Sequence, residues 1–148
     1  MEFELHRDVT GEAYRSLIEA ACNKSAKFHL VIRKELAVAP SAKAVLKQLA
    51  PSLIRKVEKS EWASTMLDGS TAYVYYYRAD DHAKNVLQQA VQSLYSWEQP
   101  YFPEDLSFFR ANGIDWLATS SHERHCHLTL EPHEAKELLD KIATLQLD

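Results

Sequence analysis

The sequence of 148 residues predicts a single α+β domain, in which a largely antiparallel mixed sheet carries its helices mainly on one face. Segments that alternate apolar and polar residues are interspersed with segments whose apolar residues recur every three or four positions. Two turn signals, Asp68-Gly69 and Asn112-Gly113, predict hairpins, whose strands are antiparallel. No repeat, linker or low-complexity segment divides the chain, so we treat 1–148 as one domain.

The first half of the chain alternates strand and helix patterns. Each predicted helix has an apolar stripe that can lie on a sheet, as in Tyr14, Leu17, Ile18, Ala21 and Cys22. Proline ends the second helix, because it lacks an N–H donor and clashes with the preceding turn. The predicted elements are a strand over 2–7, a helix over 11–23 capped by Thr10, a strand over 27–35, a helix from Pro40 to Pro51, and a charged strand over 55–62.

The second half is richer in strands. The Asp68-Gly69 turn is predicted to join 62–67 to 71–78, and the Asn112-Gly113 turn to join 106–110 to 114–120. Two prolines make residues 98–105 a predicted loop. The other predicted elements are a helix that begins at Asp80 or Asp81 and runs to Leu94, a strand over 125–130, and a helix that begins at Pro132.

Glycine content excludes several enzyme classes. The chain has three glycines, and the nearest two, Gly69 and Gly113, are too far apart for a dinucleotide or P-loop fingerprint. The Gly-x-Ser-x-Gly nucleophile elbow and the glycine-rich loop of protein kinases are absent for the same reason. A site in this chain must therefore be built from side chains, and no catalytic residue is assigned.

Charge and cysteine content describe the expected partners and compartment. The net charge is −4 and no segment concentrates basic residues, which argues against nucleic acid as a partner. No apolar run is long enough for a membrane span or a signal peptide, so we expect a cytoplasmic protein without a membrane partner. Cys22 and Cys126 lie far apart and are expected to be buried free thiols.

Aromatic residues are dense for a small domain and form the first candidate site. Tyrosine and tryptophan are enriched in binding surfaces, because they combine apolar area with a polar group. Tyr73, Tyr75 and Tyr77 share one face of a predicted strand. The alternative is a sheet covered on both faces by helices and loops. The predicted partner-binding or self-association residues are Trp62, Tyr73, Tyr75, Tyr77, Trp97, Tyr101 and Phe102.

A histidine cluster forms the second candidate site. His122, His125 and His127 could approach a divalent metal while Glu123 orients a water molecule. On a strand His125 and His127 point the same way, whereas His122 lies on the other face unless the chain bends. The alternative is a solvated polar strand face. No other cofactor is predicted.

Two pairs of acids could serve general acid–base chemistry, Asp80-Asp81 and Glu104-Asp105. Helix capping accounts for the first pair, and a turn after Pro103 accounts for the second. Ser120 and Ser121 precede His122, but adjacent strand residues diverge and do not form a nucleophile and base.

Part of the chain resembles a small family of uncharacterised bacterial proteins, some labelled stage III sporulation protein without an assigned activity. The resemblance covers about residues 61–128. Glu61-Trp62-Ala63-Ser64-Thr65 is similar to a Glu-Trp-Pro-Gly-Thr stretch of that family, from which Ala63 and Ser64 depart. It implies a bacterial cytoplasmic α+β domain and transfers no catalytic residue. The motifs that carry it are Pro103-Glu104-Asp105-Leu106, Phe108-Phe109-Arg110, Asn112-Gly113, Trp116-Leu117 and Ser121-His122-Glu123.

These observations favour a non-enzymatic bacterial cytoplasmic domain that binds a protein partner, or itself, through an aromatic surface. That surface is expected near Trp62, the strand from Tyr73 to Tyr77, and the 98–105 loop. The alternative is a metal-binding protein or a metal-dependent hydrolase that uses the three histidines.

Overall fold

The computed structural model describes residues 1–148 as an α+β domain with four helices and a seven-stranded antiparallel sheet, which confirms the predicted fold class. The helices are α1 (Gly11–Lys24), α2 (Pro40–Leu49), α3 (Asp81–Ala90) and α4 (Pro132–Lys141). The strands are β1 (Glu2–Leu5), β2 (Lys27–Arg33), β3 (Leu53–Lys59), β4 (Glu61–Trp62), β5 (Thr65–Met66), β6 (Ala72–Arg78), β7 (Glu104–Phe109), β8 (Asp115–Ser120) and β9 (His125–Thr129).

The large sheet has the strand order β1-β9-β8-β7-β2-β6-β3, and every neighbouring pair is antiparallel. Strands β7, β8 and β9 are neighbours both in the chain and in the sheet, and β2 lies between β7 and β6. Strands β4 and β5 form a separate two-stranded hairpin. The sheet therefore ends at β1 on one side and at β3 on the other.

The four helices pack on one face of the sheet. Their apolar stripes join inward-facing strand residues such as Phe28, Leu30 and Phe108 in a single cluster of 29 buried residues. The predicted stripe of α1 is buried over its whole length. Both cysteines lie in this cluster as free thiols, as expected. None of the helices has the length and apolar content that crossing a membrane requires.

The opposite face is only partly covered, by the β4–β5 hairpin. Trp62 packs there in a second, smaller cluster with Val31, Val74 and other residues. Two hydrogen bonds hold the hairpin on the sheet: Trp62 Nε1–H donates to Asp105 Oδ2 at 2.9 Å, and the Ser64 hydroxyl donates to the Thr119 carbonyl at 2.5 Å. One sheet face is therefore a helix-covered core, and the other carries a smaller buried cluster beneath the hairpin.

Three predictions of local structure were wrong. Residues 62–67 do not pair with 71–78; β6 pairs with β3 and β2, and the chain before the Asp68-Gly69 turn folds on itself as β4–β5. The third helix ends at Ala90 because Ser93 bridges to Thr10 instead. The 98–105 loop is shorter than predicted, since Glu104 and Asp105 already belong to β7.

Capping was predicted correctly for α3 and incorrectly for α1. The Asp80 side chain accepts a hydrogen bond from the Ala83 backbone N–H at 2.9 Å, which satisfies one free donor of the helix. Thr10 precedes α1 but makes no side-chain hydrogen bond to it. Gly11 instead begins that helix with a positive φ of 60°.

Candidate functional site

The seven aromatic residues predicted to form a partner surface do not lie on one surface. Trp97 and Tyr77 are fully buried in the main core, and Trp62 is buried under its own hairpin. Tyr101 is 67% exposed, and its carbonyl accepts a hydrogen bond from the Ser41 hydroxyl at the start of α2. Only Tyr73 and Tyr75 remain as half-buried strand residues, with Phe102 half-buried against Trp97. As a correction, Trp97 and Tyr77 are core residues, because the helices cover their face of the sheet.

Lysine side chains cover the two remaining tyrosines of β6. Lys56 Nζ lies 4.3 Å from the ring centroid of Tyr73 and 5.3 Å from that of Tyr75. Lys34 Nζ lies 4.9 Å from the Tyr73 ring and forms an ion pair with Glu58 at 3.0 Å. The surface that this strand offers is therefore basic as well as aromatic.

Three more cations surround Tyr76 on the opposite face of the same strands. Lys27 Nζ, Arg55 Cζ and Lys59 Nζ lie 5.5, 5.0 and 5.5 Å from its ring centroid. Lys59 also donates a hydrogen bond to the Tyr76 hydroxyl at 3.0 Å. None of these three cations forms an ion pair with a carboxylate, unlike Lys34. Basic charge thus accumulates on both faces of β3 in a protein of net charge −4.

The two edge strands of the sheet differ in whether another segment of the chain forms hydrogen bonds with them. Strand β1 is followed outward by the chain near Asp148, whose backbone exchanges two hydrogen bonds with Glu4 at 2.8 and 3.1 Å. Strand β3 has no strand beyond it, and no hydrogen bond outside the ladder involves a backbone group of residues 54–59. The seven-residue β3 is therefore the open edge, a template for another strand.

The register shows which backbone groups of β3 face outward. In an antiparallel pair the N–H and C=O of one residue point to the same side, and the side alternates along the strand. Arg33 directs both groups at the Gln99 side chain, away from β6. Its partner on β6 is Ala72, which must therefore bond to β3, where it pairs with Lys59.

Alternation from Lys59 then assigns the rest of the edge. Lys59 and Val57 direct their backbone groups at β6, because the register is regular between residues 55 and 59. Glu58 and Lys56 consequently direct their N–H and C=O groups outward. The free hydrogen-bonding positions of this edge are thus Lys56 and Glu58.

A buried acid cluster lies at the start of β7. Glu104 and Asp105 are both fully buried. Arg33 Nε lies 3.0 Å from Glu104 Oε2, and the ring of His122 lies 2.7 Å from Glu104 Oε1 through Nε2. Asp105 accepts hydrogen bonds from Trp62 Nε1–H and from the Ser121 backbone N–H, both at 2.9 Å. Sequence reasoning assigned this acid pair to a turn and missed its burial.

Polar contacts position the side chains of the acid cluster. Burial raises the pKa of Glu104, and the neighbouring His122 opposes that rise. His122 lies between two carboxylates, with Nε2 2.7 Å from Glu104 and Nδ1 3.6 Å from Glu98. The Ser121 hydroxyl donates to a backbone carbonyl and is no nucleophile for this histidine. What the cluster does is hold Trp62, and hence the β4–β5 hairpin, against the sheet.

Asp105 shows how tightly that hairpin is anchored. Its φ of 55° lies in the left-handed region, which residues other than glycine rarely adopt. The cost is offset locally, because this backbone aims the carboxylate at its two N–H donors. A positive φ at an aspartate after Pro103 leaves no clear sequence signal, apart from the acid pair immediately before a strongly apolar strand.

The structure separates the three histidines of the predicted metal site. His122 contacts Glu104, whereas His127 contacts Asp115 at 2.6 Å. His125 and His127 do share a face, with ring centroids 6.2 Å apart, as the strand alternation predicted. No group of three or more histidine, cysteine, aspartate or glutamate side chains is arranged to hold a metal ion.

A different histidine has the most unusual environment. His29 on β2 is completely buried, and neither ring nitrogen bonds to another side chain. Its ring packs against Tyr76 and Phe109, with centroid distances of 5.9 and 5.2 Å. Burial lowers the pKa of His29 to about 3; a hydrogen bond with the Asp105 backbone opposes this shift, and the charge of Lys59 reinforces it. A neutral imidazole therefore packs against Tyr76, the residue around which the three cations lie.

The chain matches no protein-family model, and searches of curated proteins and of solved structures found no match either. The family resemblance stays a prediction from the motifs of residues 61–128.

Proposed function

We propose that this chain is a non-enzymatic binding domain that receives an extended, acidic segment of a protein partner along the open edge of β3. The observation that carries the proposal is the combination of an unpaired seven-residue edge with basic side chains on both of its faces. Main-chain hydrogen bonds to an exposed edge provide affinity, and alternating side chains provide specificity.

The contacts of such a segment follow from the register. Its backbone would bond to the outward groups of Lys56 and Glu58. Its side chains would alternate between the two faces of the sheet. Acidic residues on one face would meet Lys56 beside Tyr73, and those on the other would meet Arg55. Half-buried tyrosines would supply the apolar part of the contact, which retains part of the predicted aromatic surface.

Charge favours a different protein over a second copy of this one. The strand carries three cations, Arg55, Lys56 and Lys59, against one carboxylate, Glu58. Pairing β3 with β3 would bring a net positive charge against itself, and charged edge residues commonly prevent such pairing. The same charges attract an acidic strand, and self-association becomes an outcome that the test distinguishes.

The family resemblance suggests a bacterial protein, and we propose that it acts in the cytoplasm. Two buried free thiols and no disulfide support a reducing compartment. A metal-dependent role has no supporting observation, because His122 and His127 contact separate carboxylates and no group of potential ligands is arranged around a common point.

The experiment selects binders from a library of random displayed peptides, which requires no known partner. We expect the enriched peptides to carry net negative charge and strand-forming residues. The Lys56→Pro variant should bind them at least about tenfold more weakly, because proline removes an outward N–H donor and places its ring on the edge. The β6 ladder should survive, since Lys56 does not bond to it.

The matched control is Lys56→Gln, which loses the charge but keeps the N–H group. Its affinity should fall by about fivefold or less, the range of an exposed ion pair. Equal binding by the proline and glutamine variants, or enrichment of neutral or basic peptides, would contradict the proposal. A wild-type dimer that Lys56→Pro converts to a monomer would assign the edge to a second copy instead.

A further inference from the structure

A groove of about 430 Å³ opens on the sheet face away from the helices. Its walls come from strands β2, β3, β6 and β7, from the β4–β5 hairpin, and from the turn between β7 and β8. The acid cluster fixes the hairpin wall in place through Trp62. The residues that matter here are Lys27, Arg55, Lys59, Trp62, Tyr76 and Phe109.

The groove contains three cationic side chains that form no ion pair with a carboxylate of the protein. A single ring centroid, that of Tyr76, lies within 5.5 Å of all three cationic groups. At physiological ionic strength charges are screened only beyond about 8 Å, so cations gathered around one ring repel each other. Glu61 also lines the groove, but it forms no ion pair with any of them. An anion shared by the three cations would relieve this repulsion.

His29 lies next to the groove but does not line it. It is completely buried and packs against Tyr76 and Phe109, two residues of the groove wall. Because burial keeps this histidine neutral, it adds no positive charge to that of the three cations.

We propose that this groove binds the phosphate group of a small phosphomonoester. A phosphate monoester carries a charge near −2 at neutral pH and has three acceptor oxygens, which suits three cations around one point. A carboxylate, with one charge, would leave two cations uncompensated. The groove volume lies within the range of small-molecule sites and exceeds what one phosphate needs.

The site is consistent with the glycine content of the sequence. Backbone cradles for phosphate require closely spaced glycines, which this chain lacks. Lysine and arginine side chains bind phosphate without such a loop, lysine as a point charge and arginine through its planar fork. The proposed site is of this second kind.

The inference goes beyond the strand-docking proposal and can fail separately from it. Lys27 belongs to β2 and not to the open edge, so a change there alters the groove alone. Lys56 faces the other side of the sheet, so Lys56→Pro should leave phosphate binding unchanged.

The experiment titrates isotope-labelled protein with inorganic phosphate, phenyl phosphate and benzoate, and follows the Trp62 indole and the Gly113 amide by NMR. Both signals belong to the groove walls. We expect saturable shifts with phenyl phosphate and weak or no shifts with benzoate, which has the same ring and a single charge. Saturation by inorganic phosphate alone would identify the free ion as the source of the same chemistry.

Variants assign the binding to the groove. Lys27→Gln should weaken phenyl phosphate binding at least about tenfold, and the exposed Arg55→Gln serves as a second variant with the same expectation. Lys47→Gln, an exposed lysine on α2, is the matched control and should bind as the wild type does. No saturable shift with either phosphate, benzoate binding as tight as phenyl phosphate, or full binding by Lys27→Gln and Arg55→Gln would overturn the proposal.

Discussion

Buried His29 should make the protein sensitive to mild acid. Its pKa is about 3 in the folded state, compared with 6.5 for an unperturbed histidine. Because the folded pKa is depressed, the unfolded chain takes up a proton first as the pH falls below 6.5, and stability is lost progressively down to about pH 3. Linkage over this window gives a loss of about 2 kcal/mol between pH 7 and pH 5 from this one residue.

The assay is urea unfolding of the wild type and of His29→Leu at pH 7 and pH 5. Other titrating groups contribute equally to both proteins, so the difference between the two pH-dependent losses isolates His29. We expect the wild type to lose about 2 kcal/mol more than the variant. His133→Leu, which removes an exposed histidine on α4, should behave as the wild type does. An equal loss in wild type and His29→Leu would refute the buried, neutral state of His29.

Four further predictions test the fold and the sites. Trp62→Phe removes one of the two N–H donors to buried Asp105, the one that bonds to Oδ2, and should cost about 1.5–3 kcal/mol and several degrees in Tm; an unchanged Tm would show that this bond does not anchor the hairpin. Tyr14→Phe removes a hydroxyl that makes two buried hydrogen bonds and should cost about 2–4 kcal/mol by urea unfolding, whereas a loss below about 1 kcal/mol would contradict that network. Cys22, whose pKa burial raises to about 12, should react with a thiol reagent only after unfolding, and prompt reaction of the native protein would place it at the surface. Dialysis against a chelator should leave the Tm unchanged, whereas near-stoichiometric zinc in the purified protein would support the histidine metal site.

Local periodicity was sufficient for most elements of the fold. The helical stripes and the Asn112-Gly113 hairpin appear in the structure close to their predicted positions. Both depend on residues near one another in sequence, where side-chain spacing and turn preferences act directly.

The predicted Asp68-Gly69 hairpin was wrong, because strand pairing also depends on contacts between residues that are distant in sequence. Gly69 does adopt a positive φ of 76°, as a turn signal requires, but the strand that pairs with β6 lies farther back, in β3. Trp62 instead reaches a buried carboxylate, that of Asp105, 43 residues later in the chain. Such a long-range contact has no counterpart in local sequence pattern.

The candidate site was only partly accessible to sequence reasoning. Alternation placed Tyr73, Tyr75 and Tyr77 on one face but could not show that helices cover Tyr77 and that Lys56 covers the other two. The basic residues of β3 were predicted to lie on a solvated strand, because sequence alone does not reveal that β3 is the open edge of the sheet. Nor could spacing show that Lys27, distant in the chain, joins two of them around Tyr76.

The most direct test of the binding function is amide hydrogen exchange along β3, measured with and without the tightest acidic peptide from the selection. In the free protein the amides of Val57 and Lys59 should exchange slowly, since they bond to β6, and those of Lys56 and Glu58 should exchange fast. Peptide binding should slow exchange at Lys56 and Glu58 selectively. Unchanged exchange at these two amides, with protection appearing elsewhere, would contradict docking on this edge.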